Sequence, residues 1–498
     1  MFAWTIVQLV ALFWIIYYVW RKLLASRRST LPQPPGPYGL PLLGYMPFLG
    51  KRPHVTLKKL AEKYGEIFQL QIGGQQTVVL GSIETIREAY SKDVFAGRPT
   101  TPSIKAFLES GPSRFAMRTA NAKWKFLRKV SFKALSLVAS SQNSRLEAVV
   151  DEAAEGLEAE LTAYNGQPFD PQRNIFDCVA SVIGSALFGS DFNSKDELLK
   201  PVLQLPDRLA SFFAVGNLLD TLPFGSVIMR KKIKDFLEAI TPVNQVTEKY
   251  IGEHVVHCEQ EDDIRDVADA LAMVAKQTPL DLKQQIGLND DAIRCSATDL
   301  FGAGFATTME TVRWAVNLLA VSPDVQAKAR LELEQVCGDQ PVQLTDRSSI
   351  PYNEAMLIEI LRFSSLAPLG LPHSTMDDTT LHGYFIPKNT TILANFYGHH
   401  RNAKLFPDPE SFKPERFLTN DGSLNMDATQ LVIPFSVGKR RCVGENLARQ
   451  ELALIIGRLL QKFQIFQDPN NPVDVHDAYP GFNRRPIKTP IIFRKIVQ

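Results

Sequence analysis

The sequence predicts a mainly α-helical fold with small β-sheets, in one large domain behind an N-terminal transmembrane helix. Three observations lead to this prediction. The chain begins with an uncharged apolar segment, a short stretch around residue 70 alternates apolar and polar residues, and most of the remainder carries apolar residues at helical spacing. The 498 residues show no internal repeat and no break in composition, so we expect one body rather than several domains.

The first segment, residues 1–20, carries no charged side chain. As a helix it would be about 30 Å long, at about 1.5 Å per residue, which is enough to cross a bilayer. Basic residues follow it within residues 21–28 and none precedes it, so the positive-inside rule places the rest of the chain in the cytosol. The segment lacks the basic start and cleavage site of a signal peptide, and the Arg-rich amphipathic pattern of a mitochondrial presequence. We therefore expect a single-pass anchor in the endoplasmic reticulum membrane.

A hinge is expected next, over residues 21–44. Its second half, from Leu31, is rich in proline and glycine, which forbid a helix and favour extended backbone. Such a stretch could bind an SH3-type domain, but directly after an anchor it more simply holds the globular part, residues 45–498, against the membrane.

The globular part begins with a small sheet and continues as helices. Alternating apolar residues on both sides of Gly73 and Gly74 predict a β-hairpin, and a helix follows from Ser82. From about Lys123 to Gln335 the apolar spacing is helical.

The segment from Leu288 to Pro323 is apolar on most faces, which predicts a long, buried central helix. Asp290 or Asp291 is expected as its N-cap.

The overall charge is unsuited to a nucleic-acid partner. The net charge is only +2, from 55 basic and 53 acidic residues mixed along the chain, and gives no field that would attract a polyanion. The five cysteines are widely spaced and include no CxxC pair or zinc-type cluster, which disfavours a disulfide scaffold and suits a reducing compartment.

One of these cysteines, Cys442, stands in FSVGKRRCVG, a loop directly before a stretch with helical periodicity. Gly438 and Gly444 allow backbone turns that other residues resist, and the amino terminus of the following helix favours negative charge on the sulfur. The residues therefore predict a thiolate here, although most isolated cysteines are small buried hydrophobes.

This loop resembles the motif F-x-x-G-x-R-x-C-x-G of the cytochrome P450 superfamily, and all five positions match: Phe435, Gly438, Arg440, Cys442 and Gly444. The resemblance implies a P450 fold, haem b (iron protoporphyrin) as cofactor, and Cys442 as the axial ligand of its iron. A thiolate ligand favours cleavage of the O–O bond, so the implied activity is insertion of one atom of O2 into a lipophilic small molecule.

Other parts of the chain resemble the same family. In the family, Glu359 and Arg362 of an E-x-x-R pattern and Arg416 of PERF would form a structural ion-pair triad behind the haem. Alone, residues at this spacing would more often be a surface pair.

The resemblance also implies partners for the two haem propionates. Trp124 and Arg128 lie four residues apart on one predicted helical face, and Arg98, His373 and Arg440 match the other partners. Two buried carboxylates need several fixed donors. The alternatives are ordinary surface charge and, for His373, a core histidine.

On the oxygen side, the family pattern A/G-G-x-D/E-T-T/S corresponds to Ala303, Gly304, Phe305, Ala306, Thr307 and Thr308. Small residues at Ala303 and Gly304 would let a haem and bound oxygen approach the helix, and Thr307 would hydrogen-bond the oxygen ligand. Taken alone, the pattern could also be small-residue helix packing. Ala306 stands where the family has an acid that relays protons.

Three explanations for the missing acid remain open. Water or a substrate hydroxyl takes over the relay, another acid such as Asp299 or Glu310 reaches in, or the enzyme uses peroxide or isomerises its substrate. A non-catalytic haem- or sterol-binding protein is a further reading, which the intact cysteine loop disfavours.

Phrases such as FGAGF and ANFYGHH most resemble the animal microsomal group that contains steroid 17-hydroxylases and aromatic-hydrocarbon hydroxylases. Family positions that line the pocket include several aromatic residues and predict a flat hydrophobic substrate. These aromatic residues are Phe107, Phe115, Phe212, Phe213, Phe301 and Phe482.

The chain shows no flavin or nicotinamide fingerprint, so electrons must come from another protein. The resemblance implies the membrane-bound NADPH–cytochrome P450 reductase, with cytochrome b5 as a further donor. Lys129, Lys439 and Arg441 could dock an acidic partner, or could be ordinary solvated charges.

Overall fold

The structure is a computed structural model that describes residues 29–138, 144–222, 224–254 and 264–496. The expected anchor, residues 1–20, and the start of the hinge lie outside the described residues. None of the helices within the described ranges has both the length and the apolarity that a membrane crossing requires.

The described part is mainly helical, with small sheets, as the sequence predicts. Its helices are α1 (Pro53–Tyr64), α2 (Ile83–Ser91), α3 (Pro102–Glu109), α4 (Ala122–Val138), α5 (Ser144–Thr162), α6 (Gln172–Phe188), α7 (Leu205–Phe212), α8 (Leu218–Thr221), α9 (Gly225–Ile228), α10 (Arg230–His254), α11 (Val267–Gln277), α12 (Leu280–Ile286), α13 (Asp290–Arg294), α14 (Ser296–Val321), α15 (Pro323–Cys337), α16 (Pro351–Ser364), α17 (Phe396–His400), α18 (Met426–Thr429) and α19 (Glu445–Lys462). Its strands are β1 (Ile67–Ile72), β2 (Gln75–Leu80), β3 (His373–Ser374), β4 (Thr379–Leu381), β5 (Tyr384–Ile386), β6 (Thr391–Ala394), β7 (Phe463–Gln467), β8 (Ala478–Tyr479), β9 (Arg485–Pro486) and β10 (Ile491–Lys495).

The predicted hairpin is the start of the largest sheet in the described ranges. Strands β1 and β2 are antiparallel and in register from Ile67 opposite Leu80 to Ile72 opposite Gln75. Strand β6 adds parallel to β2, and β3 adds antiparallel to β6, in the order β1-β2-β6-β3. Helix α2 begins as predicted, because the Ser82 hydroxyl caps it by accepting the Thr85 N–H.

The hinge is attached to this sheet. The Gln69 N–H of β1 donates to the Pro35 carbonyl at 2.8 Å, and the Phe385 N–H of β5 donates to the Pro32 carbonyl at 2.9 Å. The described end of the hinge is therefore held against the globular part by these hydrogen bonds.

The predicted central helix is present as two helices rather than one. Helix α13 ends at Arg294, and α14 starts at Ser296 and remains buried through most of its length. The expected cap was wrong: Asn289, not Asp290 or Asp291, accepts the N–H of Ala292. Helix α14 packs against α6, α10, α16 and α19, so it forms the centre of the core.

Candidate active site

The cysteine loop lies between a 3-10 turn (Gly438–Arg440) and the start of α19. The Cys442 N–H donates to the Phe435 carbonyl at 2.9 Å, which closes the loop. Gly438 has φ +73°, and a Cβ there would overlap the Tyr90 carbonyl, so this position requires glycine. Gly444 differs, because its φ is −96° and a Cβ would meet no chain atom within 4 Å.

Cys442 is accessible although protein surrounds it. Burial raises the pKa of its thiol, and the Gly444 N–H and Arg128 oppose this only in part. Burial therefore opposes the stabilisation of a thiolate that is expected from the loop and the helix terminus. Loss of the proton would instead accompany binding of a metal, which takes the thiolate as its ligand.

A second accessible strip lies on α14. Ala303 and Thr307 are exposed and Gly304 is half-buried, while the neighbouring Phe305 and Ala306 are buried. The spacing of four residues places Ala303 and Thr307 on one face of an otherwise enclosed helix. The Thr307 hydroxyl donates to the Ala303 carbonyl at 2.7 Å, so its lone pairs remain available as acceptors.

Buried guanidinium groups gather beside the cysteine loop. Arg440 lies 4.4 Å from the centre of the Trp124 ring and donates to the carbonyls of Ala96 and Arg118, each at 2.6 Å. Arg98 donates to the Pro372 carbonyl at 2.7 Å.

These cations repel one another. Burial, Arg98 and Arg128 lower the pKa of Arg440 to about 8, and burial and Arg128 lower the pKa of Arg98 to about 10. Within the described ranges none of the three guanidinium groups forms a salt bridge to a carboxylate. The cluster therefore lacks a compensating anion in the described chain.

The remaining predicted propionate partner, His373, stacks on Tyr90 with ring centres 3.8 Å apart. Its Nδ1 lies 2.9 Å from the Phe95 carbonyl. Burial lowers the pKa of His373 well below its usual value, so the ring is neutral.

Glu359, Arg362 and Arg416 are brought together in the interior. Arg362 contacts both carboxylate oxygens of Glu359, the nearer at 2.6 Å, and Arg416 lies 3.1 Å from Glu359. Both members of the E-x-x-R pair are fully buried, which excludes the surface-pair alternative.

The residues present fit a haem. The cationic cluster suits two carboxylates, Cys442 and the α14 strip are accessible within the protein, and the space beside Gly444 is open. Helix α19, which starts just after Cys442, packs against α14, which carries Thr307. A metal ion bound by protein side chains alone has no support, since the described residues contain no cluster of three potential ligands.

Comparison with known proteins agrees with this arrangement. The family model for cytochrome P450 matches residues 34–493. The chain is a cytochrome P450. Cytochrome P450 1A1 of Felis catus is 35% identical over 479 residues, covering 94% of this chain and 92% of the relative. The same enzyme of Limanda limanda is 34% identical over 477 residues, covering 93% and 91%.

Among solved structures, a zebra fish cytochrome P450 with progesterone superimposes with a TM-score of 0.76 at 28% identity, covering 89% of this chain and 99% of that chain. The mainly helical P450 fold is thereby confirmed. Family membership makes this chain a monooxygenase with haem b bound through a cysteine thiolate, a lipophilic substrate and a separate redox partner.

The P450 has an open cleft beside strands β1, β2 and β6, lined on its other sides by α3, α8 and the segment that follows α7. The family resemblance predicts that the pocket is lined by five segments, residues 102–118, 203–216, 299–307, 369–371 and 480–482. Four of them meet in this cleft or the adjoining one, and residues 299–307 do not. The contributing residues from these segments are Ser103, Ile104, Met117, Phe213, Val215, Leu369, Gly370, Gly481 and Phe482.

Of the six aromatic residues expected in the pocket, Phe213 and Phe482 line the clefts and the other four do not. Phe301 contacts Phe188 and Phe192 in the core, and Phe212 stacks on Phe236 at 3.8 Å. Helical periodicity could not separate pocket-facing from core-facing rings, because both faces of α14 are apolar.

One buried ion pair could not be predicted from any local pattern. Arg114 lies 2.9 Å from Asp299 on α14 and also contacts Asn244 on α10 at 2.5 Å. The Phe115 N–H donates to the second oxygen of Asp299 at 2.7 Å. Arg114 adopts left-handed backbone, with φ +42°, and its side chain is only 4% exposed.

The buried carboxyl group of Glu451 was also not predicted, although its position in the sequence contains a signal. Glu451 is 0% exposed on α19 and lies between Leu447 and Leu454, on the apolar face of the helix. A lone carboxylate in an apolar stripe indicates either a hidden partner or a bound proton.

Proposed function

We propose that this P450 inserts one atom of O2 into a flat, lipophilic molecule of steroid-like or aromatic type, with Cys442 as the iron ligand. The observation that carries the proposal is the accessible Cys442 in a closed loop beside uncompensated guanidinium groups. In the net reaction one oxygen atom enters a C–H bond, and the other leaves as water after uptake of two electrons and two protons. Bound haem supplies the oxygen chemistry.

The surrounding residues have separate tasks in this proposal. Arg98, Arg128 and Arg440 neutralise the propionates, and Trp124 and His373 complete that set. The triad of Glu359, Arg362 and Arg416 fixes the chain behind the haem.

On the oxygen side, Ala303 and Gly304 leave room for substrate, and the Thr307 hydroxyl accepts and donates hydrogen bonds in the cavity. The Arg114–Asp299 pair joins the loop after α3 to α14 and keeps water out from that side.

The substrate class rests on the cleft and on the relatives. Phe213, Phe482, Ile104 and Met117 offer flat apolar contacts, while a few polar side chains such as Thr101 can orient one end of a ligand. The zebra fish relative was solved with progesterone, and the curated relatives named above are cytochromes P450 1A1.

Membrane attachment is part of the proposal. Residues 1–20 would anchor the chain in the endoplasmic reticulum, residues 21–44 would serve as the hinge, and residues 45–498 would be the cytosolic catalytic domain. Phe224, Val227 and Ile228 are 81%, 56% and 63% exposed beside the basic start of α10. An apolar surface next to basic residues suits a membrane with anionic lipids.

This surface is close to the hinge side of the sheet. A Cβ at Gly73 would overlap Thr221 of α8, and one at Gly216 would touch Leu49 and Met46. The apolar residues that precede α1, including the 51% exposed Phe48, therefore lie in the same region as α8.

The test combines a spectrum with turnover. The reduced protein should show the thiolate signature on binding CO, Cys442→Ser should abolish it, and the control Cys295→Ser should retain it. With NADPH and the reductase, steroids and polycyclic aromatics should be oxidised in preference to fatty acids. A wild-type spectrum without the thiolate signature would overturn the assignment of Cys442.

Ala306 supports a second candidate, a peroxide-dependent or isomerising enzyme. Product formation with peroxide but not with NADPH and reductase would favour it. Ala306→Asp should raise product per NADPH if proton delivery limits the monooxygenase, and no gain would remove that limitation.

A further inference from the structure

A small cleft adjoins the open cleft beside the sheet and lies between the start of α1, residues 368–370 and the turn at Gly481. Among the described residues that line it, His54 has the single polar side chain. His54 is the second residue of α1 and is only 5% exposed. A lone imidazole in an apolar lining either packs as a ring or meets a polar group of a ligand.

The imidazole of His54 has no partner of its own. Its ring meets the Tyr397 ring edge-on, with centres 4.7 Å apart, and no group of the described chain forms a hydrogen bond with either ring nitrogen. The Nδ1 atom of His399 also lacks a partner but is fully enclosed, whereas the nitrogens of His54 are not. The nitrogens of His54 are therefore open to the cleft, and a buried polar group of this kind calls for a partner from outside the chain.

The charges around His54 are positive. The guanidinium of Arg484 is buried, lies 4.9 Å from the centre of the Trp314 ring and forms no salt bridge to a carboxylate in the described ranges. Arg52 and Arg401 also act on His54. Burial, followed by these three arginines, lowers the pKa of His54 to about 3, so the ring is neutral and donates through one N–H. Positive surroundings favour an electron-rich oxygen as the partner of that N–H.

The open cleft has the opposite polarity. Its lining includes Asp220, whose carboxylate accepts hydrogen bonds from the Ser103 hydroxyl at 2.6 Å and the Asn217 amide at 3.0 Å. A carbonyl oxygen is repelled by this carboxylate, so a ligand that spans both clefts places its carbonyl at His54. The clefts are continuous, because five residues line both of them: Phe213, Val215, Pro372, Leu393 and Phe482.

We propose that His54 donates a hydrogen bond to a carbonyl oxygen of the substrate, so that this P450 selects flat ketones over hydrocarbons of the same shape. This inference rests on the proposed function and deepens it by naming the polar group that the substrate carries. The hydrogen bond also fixes which end of the substrate lies at α1, and therefore which carbon atoms remain open to oxidation.

Fluorenone and fluorene form a matched pair of probes, because a carbonyl group in the first replaces a CH2 group in the second. His54→Phe keeps a ring against Tyr397 but removes the N–H. Equilibrium dialysis against the haem-loaded full chain should show that the variant binds fluorenone about tenfold more weakly than wild type and binds fluorene unchanged. An equal change for both probes would mean that His54 acts by packing or holds only a water, and would refute the proposal.

Conservative variants identify the donating nitrogen. Glutamine places an N–H near the position of Nε2, and asparagine places one near Nδ1. Either His54→Gln or His54→Asn should therefore recover part of the fluorenone affinity, and His476→Phe, which alters an exposed histidine outside the cleft, should change neither affinity. If both conservative variants bind fluorene normally and neither recovers fluorenone binding, the hydrogen bond is contradicted.

Infrared spectroscopy detects the hydrogen bond directly. The carbonyl band of bound, 13C-labelled fluorenone should lie at lower wavenumber in wild type than in His54→Phe, since a hydrogen bond weakens the C=O bond. The same band position in both proteins would overturn the proposal even if the affinities differ.

A carboxylate tests the chemical class of the ligand. Fluorene-2-carboxylate should bind more weakly than fluorenone, because the cleft is apolar and a charged group loses its hydration there. Tighter binding of the carboxylate that depends on His54 would assign the cleft to an anion instead of a ketone.

Turnover connects the cleft with the reaction. With NADPH and reductase, wild type should oxidise fluorenone at fewer ring positions than His54→Phe does, because the variant no longer fixes the carbonyl end. Equal affinities of wild type for fluorenone and fluorene, with an intact CO spectrum, would refute this inference alone. Loss of the thiolate signature from wild type would refute the proposed function, and the dialysis and infrared results would remain separate.

Discussion

At the scale of single residues, the interior of this P450 contains charges that are balanced in different ways. Glu359 is balanced by two arginines, whereas the cluster around Arg440 has no anion in the described chain, which is why it suits a haem. No cation among the described residues opposes the burial of Glu451, so its protonated, neutral form is favoured. Burial makes each arrangement costly to disturb, because an unpaired charge cannot regain its hydration.

The Arg114–Asp299 pair allows a direct test of this cost. Both side chains are 4% exposed, so Asp299→Asn should reduce the free energy of unfolding by about 3 kcal/mol by leaving Arg114 uncompensated. Arg114→Met combined with Asp299→Leu should recover most of that loss. Denaturant unfolding at constant haem loading provides the measurement.

The control for this prediction is the exposed pair of Lys105 and Glu109, which are 4.0 Å apart on neighbouring α3. Lys105→Met should not change stability measurably. If Asp299→Asn and Lys105→Met change the free energy of unfolding equally, charge compensation within the buried pair does not explain the effect of Asp299→Asn.

At the scale of elements, periodicity was sufficient for most of the fold. The β1–β2 hairpin, the start of α2 and the helix after Cys442 were predicted correctly. The break before Ser296 was missed because the apolar pattern continues across it.

The site was less predictable, since its chemistry depends on burial by distant segments. The five motif residues around Cys442 could be found from the sequence, but the pKa of its thiol depends on burial that no local pattern reveals. Arg114 meets Asp299 from 185 positions away, and only folding brings them together.

The two glycines of the cysteine loop should respond oppositely to alanine. Gly438→Ala forces a Cβ against the Tyr90 carbonyl at φ +73° and should destabilise the protein by about 2 kcal/mol or more. Gly444→Ala should leave the stability of the haem-free protein within about 0.5 kcal/mol, since it meets no chain atom.

Gly444→Ala should nevertheless weaken haem binding, because the open space beside it is proposed to face the haem. Thermal unfolding of the haem-free protein and haem titration would separate the two effects. A Gly444→Ala protein that binds haem normally would show that the motif glycine does not face the cofactor.

At the scale of the whole molecule, the proposed reductase surface and the proposed membrane surface involve different parts of the chain. Arg441 and Lys129 are exposed near the cysteine loop, while Lys439 is held by Asp93 at 2.5 Å. The exposed apolar residues of α9 are far from this loop in sequence, and they lie near the cleft and the sheet. Electrons and substrate would thus approach by different routes.

Charge reversal should identify the docking surface. Arg441→Glu should slow reduction by the NADPH reductase about tenfold at low salt, and Lys439→Glu should have a smaller effect because Asp93 already offsets that charge. The difference should disappear at about 1 M salt, where screening acts within about 3 Å. Stopped-flow reduction measures both rates, and identical rates at low salt would exclude Arg441 from the interface.

The membrane surface can be tested by adding one tryptophan at a time to the full chain and subtracting the quenching of its five native tryptophans, three of which lie within residues 1–20. Phe224→Trp places an indole on the 81% exposed position before α9, and Leu331→Trp places one on the 54% exposed position of α15. If α9 rests in the lipid interface, brominated lipids should quench the first probe and leave the second unchanged, because quenching requires contact with acyl chains. Replacing Ile228 with Gln should reduce the quenching by removing apolar area. Equal quenching of both probes, or of neither, would mean that the molecule is not oriented with α9 against the bilayer.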